Sequence, residues 1–196
     1  LVRARGIEMA KAAALSPAGM SAVLGGEREV VLKKLEELKL VAANDNGGGQ
    51  IVAAGELAAL AALSENPPEG ARVRALAVAG AFHTSFMEPA VEPLRTLAAT
   101  IHTAPTTISV ISNKDGEVVS DGSEVLTRIV NQIANPVRWD LCMQTLKNLG
   151  VTGVIELPPA GTLVGLLKRG APEIETFALK SADDLSAAKE FAGRHA

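Results

Sequence analysis

The sequence predicts an α/β protein in two parts. A compact β-α-β-β-α-β unit over residues 19–79 follows a leading helix, and a longer run of helices and strands follows it over residues 80–196. Three observations carry this. Runs of alternating and of helical apolar period succeed one another along the chain. Gly, Pro and Asn clusters punctuate them. The 47% hydrophobic content contains only 3% aromatic residues, so Ala, Val, Leu and Ile must build the core.

The opening "LVRARGIEMAKAAAL" has helical spacing, with Val2, Ile7, Met9, Ala10, Ala13 and Ala14 as its expected apolar stripe. It starts at Leu1 without an N-cap and reads as a chain cut inside a longer protein. "MSAVLGG" is then a strand. "EREVVLKKLEELK" is a helix with Val30, Val31, Leu35 and Leu38 expected inward. "LVAAND" and "QIVAAG" are strands around the turn "NGGG", "ELAALAALSE" is a helix, "NPPEG" breaks it, and "ARVRALAV" is a strand. The order βαββαβ is the ferredoxin-like signature.

After His83 the rhythm changes. "SFMEPAVEPLRTLAATIH" reads as helix, "TTISVISN" as strand, "KDGEVVS" as a hairpin and "GSEVLTRIVNQIA" as helix. Pro136 is expected early in a helix "PVRWDLCMQTLKNLG". "VTGVIELP" is strand, "GTLVGLLKR" helix and "EIETFALK" strand. Ser181 is expected to cap the closing helix. This alternation predicts a mainly parallel sheet.

Several classes are excluded at this stage. No apolar run approaches the roughly 20 residues of a membrane span, and the charged opening is not a secretory signal. The single Cys142 cannot form an internal disulfide or a cysteine-rich metal site, which fits a reducing cytoplasm, and beside Trp139 it reads as a buried thiol. A net charge of −3 argues against nonspecific nucleic-acid binding.

The chemistry centres on His83, which follows the strand "RALAV" and precedes a helix, where α/β sites concentrate. Imidazole is the usual general base near neutrality. His102 and His195, at a helix end and the penultimate position, read as ordinary histidines. No Gly-x-Ser-x-Gly elbow occurs, "GMSAV" opening a strand instead. No Asp is obviously paired with His83. The glycines of "ANDNGGGQ" join two strands and are not followed by Lys-Ser/Thr, so they read as a hairpin turn and not as a phosphate loop.

"GAFHTSFM", "NQIANPVRW" and "ELPPAGTLVGLLKR", in that order and after "RARGIEMAK", resemble the malonyl-CoA:acyl carrier protein transacylases and the related acyltransferase domains of polyketide synthases. The resemblance implies an α/β-hydrolase-like core with an inserted ferredoxin-like subdomain, divided here as residues 1–18 (core), 19–79 (insert) and 80–196 (core), without the N-terminal part of the core. It implies His83 as the base of a serine nucleophile lying outside this chain, with Gln132 at the position whose backbone carbonyl orients the imidazole. Arg5 would clamp the malonyl carboxylate, with Arg3 its competitor. Phe82 would restrict the pocket to malonyl against branched acyl groups, Met9 and Met87 would line it, and Asn44 and Asn46 would touch the pantetheine arm. Pro158 stands where the family commonly has Gly. The implied partners are malonyl-CoA and acyl carrier protein, with Arg72, Arg74, Lys168 and Arg169 as candidates for the docking patch. The implied enzyme uses no metal or cofactor, works in the cytoplasm and is a monomer when complete. A polyketide synthase domain and a noncatalytic fragment that binds CoA or carrier protein are the alternatives.

Overall fold

The structure is a computed structural model and describes residues 1–195. Helix α1 (Val2–Ala13) leads into β1 (Ala18–Gly25), α2 (Arg28–Glu37), β2 (Val41–Asp45), β3 (Gln50–Glu56), α3 (Leu57–Glu65) and β4 (Ala71–Ala75). A 3₁₀ segment, Ser85–Ala90, runs into α4 (Val91–Ala98). The short strands β5 (Val110–Ile111) and β6 (Val118–Val119) precede α5 (Gly122–Asn131). A 3₁₀ turn at Gln132–Ala134 leads to β7 (Val137–Arg138), α6 (Trp139–Asn148), β8 (Gly153–Glu156), α7 (Thr162–Gly170), β9 (Glu175–Ala178) and α8 (Leu185–Arg194).

The main sheet has the order β4-β1-β3-β2-β7, antiparallel throughout except for the parallel pair β2–β7. Alternation along its strands divides the residues between two faces. Val23, Ile51 and Ala53 pack under α2 and α3 against Val31, Leu35, Leu60 and Leu63. Met20, Val52 and Ala54 face the other way, against Ala81 and the partly buried Leu76, Phe82 and Phe86. That second face is the floor of the site. Gly47, Gly48 and Gly49 all have positive φ (65°, 54° and 74°), which explains why the β2–β3 turn is a glycine run. A separate core joins α1, the first 3₁₀ segment, α4 and α5 through Met9, Ala12, Met87, Leu94, Val130 and Ile133. No helix is long and apolar enough to cross a membrane.

The expected element order stands, with several corrections. The second part is not a mainly parallel sheet: it has one parallel pair, β8–β9, and contributes β7 to the edge of the main sheet. "TTISVISN" shrinks to a two-residue strand that forms a hairpin with β6. Pro136 does not start a helix; it precedes β7, whose pairing with β2 takes Val137 and Arg138 into extended backbone. His102 lies beyond the end of α4. Val30 is exposed, because Val31 and Leu35 already fill the space under the sheet.

The largest correction concerns α1. Val2 and Ile7 are exposed, and Ala10 and Ala14 face solvent, whereas Met9 and Ala12 are buried. The helix is rotated so that its Arg5–Met9–Ala12 side meets the 3₁₀ segment and the site, which overrides the stripe predicted from hydrophobicity. Ser181, by contrast, caps as expected, in a reciprocal capping box with Asp184.

Candidate active site

His83 sits in the loop that leaves the main sheet after β4. Its backbone is left-handed, with φ of 60°, a conformation uncommon for a residue with a Cβ. Thr84 fixes the following turn: its hydroxyl donates to the Ala81 carbonyl at 2.6 Å and accepts from the Phe86 N–H at 3.3 Å. The His83 N–H donates to the Ile133 carbonyl at 3.2 Å. Its Nδ1 lies 2.8 Å from the Gln132 carbonyl oxygen. A carbonyl only accepts, so Nδ1 carries the proton and Nε2 is left with its lone pair. Burial pushes the His83 pKa down, and the nearby Arg5 charge adds to this against the raising effect of the Gln132 carbonyl. The ring is therefore neutral at pH 7, the form a general base needs.

Gln132 acts through its backbone. Its side chain is not on the helix surface but buried, and Nε2 donates to the carbonyls of Asn135 at 2.7 Å and Pro136 at 3.0 Å. The "NQIANPV" turn is thus wrapped around its own amide, which holds the carbonyl that orients His83.

Arg5 projects from α1 into the same cleft, a cavity of about 620 Å³. Among the described residues it has no carboxylate partner, and partial burial lowers its pKa. A guanidinium nonetheless stays charged at pH 7. Met9, Phe82, Asn44 and Asn46 line this cleft as expected, the two asparagines around the end of β2. Asp45 between them points away and accepts from Arg28 Nε at 2.8 Å. Met87 does not line the cleft. It is fully buried beneath it, with Met9 and Leu94, because the 3₁₀ segment turns it into the core. Arg3 is exposed and absent from the lining.

The cleft also contains residues that sequence reasoning missed: Asn113, Val137, Trp139, Thr162 and Leu163. The sequence predicts strand and helix for their segments and carries no signal that the ends converge on His83. Glu156, at the end of β8, explains "ELPPAGTL". Its carboxylate accepts from the N–H groups of Gly161 (2.8 Å), Leu163 (2.9 Å) and Val164 (2.9 Å), at the start of α7. Burial would raise its pKa, but these backbone donors outweigh that and hold it below the ordinary value. Glu156 thereby fixes the α7 end that faces the cleft. Glu156→Ala is expected to destabilise the fold by about 1–3 kcal/mol, read by urea unfolding. The contribution of the native carboxylate is complete above its ordinary pKa and is lost as pH falls through the lowered one.

Cys142 is buried, its Sγ donating to the Ser112 carbonyl at 3.4 Å, and burial with the charges of Asp140 and Asp115 raises its pKa to about 11. It is no nucleophile at neutral pH. His195 lies away from the cleft, between Thr152 and Glu175. Among the described residues the cleft lining holds neither Ser nor Cys.

A mixed α/β fold thus brings together, in one cleft, a carbonyl-oriented histidine and an arginine without a carboxylate partner among the described residues. Comparison with known proteins shows what the chain is similar to. No protein-family model matches the chain. The chain is, however, a relative of the malonyl CoA-acyl carrier protein transacylases: it is 53% identical to the Mycobacterium tuberculosis protein of that name over 94% of its own length and 61% of that protein's. The crystal structure of the transacylase from Mycobacterium tuberculosis superposes with a TM-score of 0.90, over 94% of this chain and 61% of that one. A malonyl-transacylase solved in complex with a type II polyketide synthase acyl-carrier protein is 26% identical, with a TM-score of 0.86 over 96% of this chain and 64% of that one. The chain thus spans about three fifths of the length of the relatives it matches.

Proposed function

We propose that this chain carries the base and the anion clamp of a malonyl-CoA:acyl carrier protein transacylase of fatty acid biosynthesis. The observation that carries the reading is the union, in one cleft, of His83 fixed by the Gln132 carbonyl and Arg5 without a carboxylate partner. Residues 1–18 and 80–196 are read as parts of an α/β-hydrolase-like core, and residues 19–79 as an inserted ferredoxin-like subdomain. The strand order β4-β1-β3-β2 supports that insert.

A serine from a segment outside this chain loses its hydroxyl proton to His83 Nε2 as its oxygen attacks the thioester carbonyl. The tetrahedral intermediate collapses, the C–S bond breaks, and the CoA thiolate takes the proton back from the imidazolium. The pantetheine thiol of the carrier protein is then deprotonated by His83 and attacks the malonyl ester, which releases the serine. This is ping-pong acyl transfer and needs no cofactor. Arg5 holds the free malonyl carboxylate through two parallel N–H donors. Phe82 fills the space that a branched acyl group would need, a discrimination of about 1–3 kcal/mol per methyl. Asn44 and Asn46 border the path of the arm. Arg72, Arg74, Lys168 and Arg169 offer charge to an acidic carrier; Arg169 also donates to Gln50 at 2.8 Å.

The test is transfer of malonyl from malonyl-CoA to a phosphopantetheinylated acyl carrier protein by the product of the complete reading frame. Malonyl-carrier formation with release of CoA is expected. Release of CoA without malonyl-carrier would indicate a hydrolase, and neither product would leave only a binding role.

A further inference from the structure

Among the described residues the cleft lining includes polar groups with no role in this scheme: Thr162, the indole N–H of Trp139, which is buried without a partner, and the Asn113 amide. Asn113 lies in the turn between β5 and β6, and that turn is fixed from several directions. The Ser112 N–H donates to the Glu117 carbonyl at 2.9 Å and the Gly116 N–H to the Ser112 carbonyl at 2.8 Å. The Lys114 N–H donates to Ser112 Oγ at 3.3 Å. Cys142 holds the Ser112 carbonyl from α6. The Arg138 N–H donates to the carbonyl of Asn113 itself at 2.7 Å. Arg138 is in turn locked beside Asp45 by the β2–β7 pairing and forks onto Asp140 at 2.9 and 2.7 Å.

Every hydrogen bond of this turn is made by backbone or by neighbouring side chains. The half-buried Asn113 amide takes part in none of them among the described residues, yet it lines the cleft that holds His83 and Arg5. The same lining includes the apolar side chains of Val137 and Leu163 and the indole of Trp139. An unpaired amide carried on a backbone pinned from several directions can orient a ligand by a single polar contact. Charge also divides the cleft. The ionisable groups of its lining are Arg5 and His83, whereas Asn44, Asn46 and Asn113 offer neutral donors and acceptors. An anionic group is served by Arg5. A neutral amide is matched by another amide, which can give and accept a hydrogen bond at once.

We propose that Asn113 is a further substrate-binding residue, and that its side chain hydrogen-bonds an amide of the pantetheine arm common to the acyl donor and the acyl acceptor. This rests on the transacylase reading. The orientation of His83 and the malonyl clamp do not involve Asn113, so its loss acts on binding of the arm.

The test compares the wild-type product of the complete reading frame with Asn113→Ala and Asn113→Ser on three donors: malonyl-CoA, malonyl-pantetheine and a malonyl thioester of a simple alkyl thiol without amides. For Asn113→Ala we expect KM to rise about five- to tenfold with malonyl-CoA, and equally with malonyl-pantetheine. We expect kcat to change by less than about twofold, and Asn113→Ser to recover part of the loss. With the alkyl thioester the variants and wild type should be indistinguishable. A KM unchanged for malonyl-CoA, or the same loss with the alkyl thioester, overturns the assignment while leaving the transacylase reading standing. Wild-type protein inactive on all three donors overturns both.

Discussion

Exchange of His83 for asparagine in the product of the complete reading frame is expected to lower kcat/KM for malonyl transfer by about 10²–10⁴-fold, with the unfolding midpoint nearly unchanged. Asparagine is chosen because it tolerates the left-handed backbone that His83 adopts. Among the described residues of the cleft lining the imidazole is the group that can take a proton at neutral pH, and Nε2 is its free nitrogen. The pH dependence carries the same claim. Burial first, then the charge of Arg5, lowers the pKa of His83. The active form is the neutral ring, so kcat/KM should fall as pH falls through a value below the ordinary histidine pKa of about 6.5. Stability has the same sign: the neutral ring favours the fold above the ordinary value, and that contribution fades as pH falls through the lowered one. Arg5→Gln removes one of the two lowering influences and should move the acid limb upward. A limb that stayed in place would separate Arg5 from the electrostatics of His83.

Arg5→Ala should have the second large effect, a loss of about 10²–10³-fold in kcat/KM with malonyl-CoA. Acetyl-CoA, which offers no carboxylate, should be used no worse by the variant than by wild type. The reason is that among the described residues Arg5 has no carboxylate partner, and it sits partly buried in the cleft. A substrate carboxylate completes it, whereas a substrate without one leaves a desolvated cation unmatched. Lysine keeps the charge but not the planar fork, so Arg5→Lys should retain an intermediate activity. Equal losses with malonyl-CoA and acetyl-CoA would assign Arg5 to the packing of α1 instead.

The order of elements was legible because period and punctuation are local properties. The βαββαβ run, the NGGG turn and the Ser181 cap all follow from short stretches of chain. His83 stands out by its place between a strand and a helix, whereas Gln132 and Arg5 were legible only through the resemblance. Taken singly, those two read as a helix amide and a surface cation. What escaped was set by tertiary contact. The rotation of α1 exposes Val2 and Ile7 because Arg5 and Met9 are turned to the cleft. Met87, assigned to the pocket by the resemblance, is buried in the core. Asn113 and Glu156 have no local signature. One is defined by a turn pinned from α6 and β7, the other by donors five to eight positions along the chain. Pairing of β7 with β2 decides the fate of Pro136, and no pattern around Pro136 announces a partner ninety residues earlier.

On the proposed function, His83 and Arg5 together process a malonyl thioester through a covalent enzyme intermediate. The measurement that tests it most directly is acid-quenched mass spectrometry of the complete reading frame's product after mixing with malonyl-CoA. Wild type should carry one malonyl group on a serine, and that group should disappear on addition of phosphopantetheinylated carrier protein. His83→Asn should accumulate it far more slowly. An unmodified wild-type protein, or a malonyl group formed equally fast without His83, would contradict the account.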